Sequence, residues 1–117
     1  NKLETIDEIK VYFGFDSAQI PDTALARIND FFASLRNKTI IKINLTGYTD
    51  TSGVSLYNLQ LSERRAKSVR DYFVSQGLFE DKIELSGKGE ENPDFPNDSR
   101  EGRILNRRVK VTVSYKD

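Results

Sequence analysis

Four runs of this chain alternate apolar and polar residues, and none of them is continuously apolar. Ile9, Val11, Phe13 and Phe15 alternate with Lys10, Tyr12, Gly14 and Asp16. Ile41, Ile43 and Leu45 alternate with Lys42, Asn44 and Thr46. Ile83, Leu85 and Gly87 make a shorter run, and Val109, Val111, Val113 and Tyr115 alternate with Lys110, Thr112, Ser114 and Lys116. A period of two marks a strand with one buried face, whereas strands covered on both faces read as unbroken apolar stretches. The sheet is therefore expected to carry helices on one face and to leave the other wet.

Two stretches between these strands have the helical period instead. Pro21 suits the first turn of a helix, and Leu25, Ile28, Phe32 and Leu35 follow as one stripe, predicting a helix to about Arg36. Ser55 is a plausible N-cap for a longer helix from about Leu56 to Gln76, with Gly77 where a left-handed C-terminal cap is wanted. The connection from about Lys88 to Leu105 carries Pro93, Pro96, Asn97, Asp98 and Gly102, so it is predicted to be irregular with at most a short helical turn. The fold class that follows is α+β. It is a two-layer β-α-β-α-β-β sandwich, a mixed four-stranded sheet with two main helices on one face and right-handed β-α-β crossovers. With 117 residues the chain makes a single domain, residues 1–117. It contains no methionine, so it is expected to be a mature product or a domain excised from something longer.

Composition removes most catalytic chemistry. There is no cysteine and no histidine, which excludes thiolate catalysis, Ser-His-Asp chemistry and His- or Cys-ligated zinc. Basic and acidic residues balance at 18 each, so no net field draws the molecule to nucleic acid or an anionic membrane. No apolar run approaches the roughly 18 residues of a membrane span, and no secretory signal pattern opens the chain. Asp50-Thr51-Ser52-Gly53 resembles part of a calcium loop but lacks the later acidic ligands. Asn97-Asp98-Ser99 fits a glycosylation sequon, a pattern too short to carry weight alone. No metal and no cofactor is implied.

Helical counting separates two adjacent arginines. Counting about 100° per residue from Asn58 puts Leu59, Ser62, Ala66, Val69 and Phe73 on the side that must meet the sheet. Arg65 lies about 20° from Asn58 on the flank of that cluster, at the border of core and solvent, while Arg64 falls on the far side as a solvated charge. Asp50 sits in the loop before this helix, near an N-terminus that favours an ionised carboxylate. Arg65 is roughly 10 Å further along the axis, a gap that a long side chain pointing back largely closes. An acid and a base opposed in this way suit a small zwitterion. On spacing alone Asp50 is more often a turn or cap residue and Arg65 more often a structural ion-pair partner. Strand parity gives Arg107 the side of the buried valines, where it can support the Asp50 loop, and leaves Arg108 solvated. Tyr12, Phe13 and Phe15 read first as strand core, with only Phe15 and Asp16 placed to line a site.

Several motifs in fixed order then point to a family. Val11 to Asp16, the Gly-x-Thr-Asp-x-x-Gly loop at 47–53, Tyr57-Asn58, Leu61-Ser62-x-x-Arg65-Ala66, Gly87-x-Gly89-Glu90 with Pro93, Asn97, Gly102-Arg103 and Asn106-Arg107-Arg108-Val109 together resemble the OmpA-like C-terminal domain. That module also occurs in peptidoglycan-associated lipoproteins and flagellar stator proteins. The likeness covers nearly the whole chain; Tyr48 stands where His is common and Ser99 where Thr is usual. It implies a non-enzymatic domain that binds peptidoglycan through the meso-diaminopimelate of the stem peptide. Asp50 and Arg65 are the implied primary contacts, with Asn58, Phe15, Asp16, Ser52, Leu61 and Arg107 as secondary lining. It further implies a periplasmic domain of an outer-membrane or otherwise envelope-anchored protein of a Gram-negative bacterium, with no direct membrane insertion by this domain and no nucleic-acid partner. Two competing expectations stand beside it. One is an envelope protein-interaction module using the open sheet face or the 88–105 connection; the other is a wall enzyme using Asp50 and Glu90 as acid and base.

Overall fold

The computed structural model describes residues 4–78, 80–91, 93 and 95–117. Eight elements follow in order: β1 (Thr5–Tyr12), α1 (Asp22–Ala33), β2 (Thr39–Gly47), α2 (Ser55–Ser75), a 3-10 turn (Glu80–Lys82), β3 (Ile83–Gly87), α3 (Arg100–Asn106) and β4 (Arg108–Lys116). The sheet order is β1-β4-β2-β3, with β4 antiparallel to both neighbours and β2 parallel to β3. Helices α1 and α2 share one face. Ala24 and Ile28 of α1, Leu35 in the turn after it, and Ala66, Val69 and Phe73 of α2 close over Val11, Ile43, Leu45, Val109, Val111 and Val113. The mixed sheet with two main helices on one face is the architecture that strand alternation predicts.

Four local departures have physical causes. Strand β1 stops at Tyr12 rather than near Asp16. Phe13 still pairs, its N–H donating to Arg107 O at 2.8 Å, but Gly14 to Ser17 then form a turn closed by Ser17 N–H to Gly14 O, with Asp16 at φ +52°. In β2 the register with β4 slips by one residue between Ile40 and Lys42, so Ile40 rather than Ile41 joins the core. Helix α3 is two turns long where only a short turn was expected. Ser99 Oγ caps it by accepting from Gly102 N–H at 2.9 Å, and the Asn106 amide holds Phe95 and Asn97 against it. Asn92 and Asp94, in the same connection, lie outside the described residues. Finally, Arg108 is not solvated. It is fully buried on the face away from the valines, with its guanidinium 3.8 Å from the centre of the Tyr48 ring and Nη1 donating to Asn106 O at 3.2 Å.

Two glycines set how closely α2 lies on the sheet. Gly47 and Gly87 are register partners at the ends of β2 and β3, and the Ser62 backbone rests on the first, the Ser62 side chain and Glu63 on the second. A Cβ at Gly47 would stand 2.0 Å from Ser62 O, and one at Gly87 2.6 Å from Ser62 Oγ. At the other end Gly77, at φ +95°, turns the chain so that Leu78 N–H donates to Phe73 O at 3.1 Å. The buried side of α2 comprises Asn58, Leu61, Ser62, Arg65, Ala66, Val69 and Phe73, while Leu59 is 39% exposed. Helical counting centred that side too near Leu59. The true centre lies closer to Arg65, because the turn at 14–17 and the residues after β2 wall the helix on that flank.

Gly47→Ala is expected to cost about 2–3 kcal/mol by forcing the helix off the strand end. Gly77→Ala, where no atom lies within 4 Å of the added carbon, costs only the roughly 1–2 kcal/mol of a left-handed backbone. Urea denaturation of the two variants checks that order.

Candidate functional site

A cleft of about 180 Å³ opens at the ends of β1 and β2 beside the first turns of α2. All eight residues singled out in the sequence line it. The strand ends deliver the β1–α1 turn and the loop after β2 to the same place, and the glycine notch brings α2 down beside them.

Asp50 is 4% exposed. Its Oδ1 accepts from Ser52 N–H at 2.8 Å, ahead of the helix rather than at its first turn, and its Oδ2 accepts from Arg107 Nη1 at 3.3 Å. The carboxylate is thus paired with Arg107, which also donates through Nε to Phe13 O at 3.2 Å and so supports the loop as strand parity suggested. Asn58, 2% exposed, donates through Nδ2 to Asp50 O and to Glu90 Oε1, fixing the loop from the helix side. Leu61 supplies an apolar wall.

Arg65 departs most from expectation. It is not at the border of the core but fully buried, and its guanidinium donates to three backbone carbonyls: Nε to Ser17 O at 2.8 Å, Nη1 to Tyr48 O at 2.9 Å and Nη2 to Gly14 O at 3.0 Å. The side chain therefore ties the β1–α1 turn to the end of β2 as well as facing the cleft. Burial, with the neighbouring Arg107 charge adding to it, lowers its pKa to about 10, against the opposing pull of Asp50 and Asp16. It stays a cation at neutral pH. Two guanidiniums, Arg65 and Arg107, and two carboxylates, Asp16 and Asp50, balance across the cleft.

Phe15 is 68% exposed at the rim, outside the core that alternation assigned to it, whereas Phe13 is buried with Arg65 5.4 Å from its ring centre. Arg64 is exposed, as counted, and lies 5.5 Å from the Tyr57 ring centre. Sequence reasoning missed Tyr57 as lining. Its hydroxyl donates to Asp16 Oδ1, and its position directly before Asn58, at the start of a helix that opens onto the cleft, was the available signal. Thr49 and Gly53 complete the wall. Donors and acceptors here can hold a small charged group. Among the described residues no group of three or more carboxylate, His or Cys side chains is placed to hold a metal ion, and no helix is long and apolar enough to cross a membrane.

Comparison with known proteins places the chain among relatives of one family. The chain is 36% identical over 102 residues to outer membrane protein A of Bordetella avium, covering 87% of this chain and 53% of that protein. It is 36% identical over 104 residues to the peptidoglycan-binding protein ArfA of Mycobacterium tuberculosis, covering 89% of this chain and 32% of that protein. The chain thus spans about half the length, or less, of these relatives. The crystal structure of the peptidoglycan-associated lipoprotein from Burkholderia pseudomallei superposes with a TM-score of 0.75 at 29% identity, covering 89% of this chain and 88% of that one. The OmpA family model matches residues 12–107, which takes in both walls of the cleft from Phe15 to Arg107, and the chain belongs to the OmpA family.

Proposed function

We propose that this domain binds peptidoglycan non-covalently through the meso-diaminopimelate of the stem peptide, and so anchors an envelope protein to the cell wall from the periplasmic side. The observation that carries the proposal is the charge-balanced cleft, whose size suits the end of one side chain and whose walls oppose a carboxylate to a guanidinium. The OmpA family is non-enzymatic, the peptidoglycan-associated lipoprotein shares this fold, and the peptidoglycan-binding relative is similar in sequence over most of the chain. Diaminopimelate ends in an ammonium and a carboxylate on one carbon. The ammonium takes Asp50 Oδ2, displacing the single 3.3 Å contact from Arg107. The carboxylate then meets the released Arg107, while Arg65, with no exposed surface, adds its charge from within the wall. One ion pair is exchanged for two, which is the differential gain that makes a zwitterion the favoured guest.

A charge-assisted hydrogen bond contributes about 1.5–3 kcal/mol. Asp50→Asn, which preserves the side chain's shape and an acceptor for Ser52 N–H, is therefore expected to weaken binding of purified diaminopimelate-type sacculi by roughly 10- to 100-fold in sedimentation assays. Binding that survives it undiminished would overturn the clamp and favour docking through the sheet face or the 88–105 connection. Sacculi of the lysine type, lacking the second carboxylate, are expected to bind much more weakly, and equal retention of both wall types would point to glycan recognition. Arg65→Ala is expected to lose about 3–5 kcal/mol of stability by taking a donor from three carbonyls, of which Gly14 O keeps the Ser17 N–H, so its thermal unfolding should be measured before its binding is interpreted.

A further inference from the structure

Arg65 forms part of the cleft wall yet has no exposed surface, so something covers it. Part of that cover is the turn at 14–17, beside Phe13 and Tyr48. From beneath, Arg65 holds the carbonyls of Gly14 and Ser17. On its outer side the same turn is fastened at Asp16, whose Oδ1 accepts the hydrogen bond from the Tyr57 hydroxyl on α2. Asp16 has a left-handed backbone, φ +52°, a conformation Asp takes more readily than most L-residues. Tyr57 is itself steadied by the Arg64 guanidinium near its ring. Its phenol is pushed above the ordinary value chiefly by the Asp16 hydrogen bond, with Arg64 opposing. The diaminopimelate clamp makes no use of this hydroxyl.

The geometry points to Tyr57 as a positioning residue of the cleft: its hydroxyl fastens Asp16, and through Asp16 the 14–17 turn, against α2 and over Arg65. The latch is a property of the protein alone; only its consequence for ligand rests on the diaminopimelate reading. With the latch made, Asp16 stands as a second fixed carboxylate at the mouth, beside Asp50, and a bound ammonium is retained. Without it the turn loosens, the carboxylate wanders and dissociation quickens.

The test uses the whole chain with Tyr57→Phe, Asp16→Ala and the double variant, read in two ways. In the absence of ligand, amide exchange of Ser17, whose N–H closes the turn onto Gly14 O at 3.2 Å, should quicken in Tyr57→Phe and to a similar degree in Asp16→Ala. With free meso-diaminopimelate as the probe, Tyr57→Phe should lose about three- to tenfold in affinity through a faster off-rate, less than a full hydrogen bond to a charged group because the hydroxyl acts on the ligand only through Asp16. Added to Asp16→Ala, Tyr57→Phe should then have no further effect. Unchanged Ser17 exchange in Tyr57→Phe overturns the latch whatever the ligand does, as do affinity losses that simply add. Failure of the wild-type protein to bind the probe would instead remove the functional reading, leaving the exchange measurement to decide the latch.

Discussion

The buried Arg65 guanidinium is the interaction on which this end of the molecule depends. Strand β4 lies between β1 and β2, so the turn after β1 and the loop after β2 share no strand pairing that could hold them together. Arg65 spans them, reaching Gly14 and Ser17 on one side and Tyr48 on the other. Taking a cation out of water costs several kcal/mol, and three charge-assisted bonds of about 1.5–3 kcal/mol each offset that cost. The planar fork presents its donors in divergent fixed directions, which a lysine ammonium on a flexible stem does not reproduce. A residue that looks in sequence like a ligand contact is thus first a structural tie, and the cleft exists because the tie is made.

With Arg65 fixed, Arg107 becomes the adjustable charge. It is the single residue between α3 and β4, in neither element, and its side chain keeps some exposure where Arg65 keeps none. Two guanidiniums this close repel, and Arg107 contributes to lowering the Arg65 pKa. The carboxylates of Asp50 and Asp16 make the pair tolerable. On the proposed function such a site divides its labour: the fully buried cation sets the shape, and the partly exposed one exchanges partners when a guest arrives. That division explains why Asp50 is paired with Arg107 rather than with Arg65.

The fold was legible wherever one periodicity dominated. The valines of β4 and the pattern of α2 gave the sheet, the covered face and the helix length to within a residue or two. Legibility failed where tertiary contact overrides local pattern. The one-residue slip in β2 exchanges Ile41 for Ile40, and alternation counted along a single strand has no means of sensing it. Arg108 looked solvated because parity describes which face a side chain takes, not what covers that face, and Tyr48 covers it here. Helix α3 was hidden because its stability rests on a Ser99 cap and an Asn106 bracket rather than on an apolar stripe. Within the cleft, the lining was identifiable from motif order and helical spacing. The partner of Asp50 was only half visible: support by Arg107 could be read from parity, but the depth of Arg65 could not, since it depends on loops far away in sequence.

The size of the cleft bears on what a tether of this kind can do. At about 180 Å³ it admits the end of one side chain and little more, so few contacts form and part of their strength is spent displacing Arg107 from Asp50. On the proposed function, one domain therefore holds the wall modestly and reversibly. A wall repeats its stem peptides over a continuous surface, and an envelope protein present in many copies meets it many times, so retention grows by multiplicity without any new contact. A weak site with a stiff frame suits that task better than a tight one. The frame ensures that each encounter finds the same geometry, and the exchangeable Arg107 pair lets each contact release while its neighbours hold.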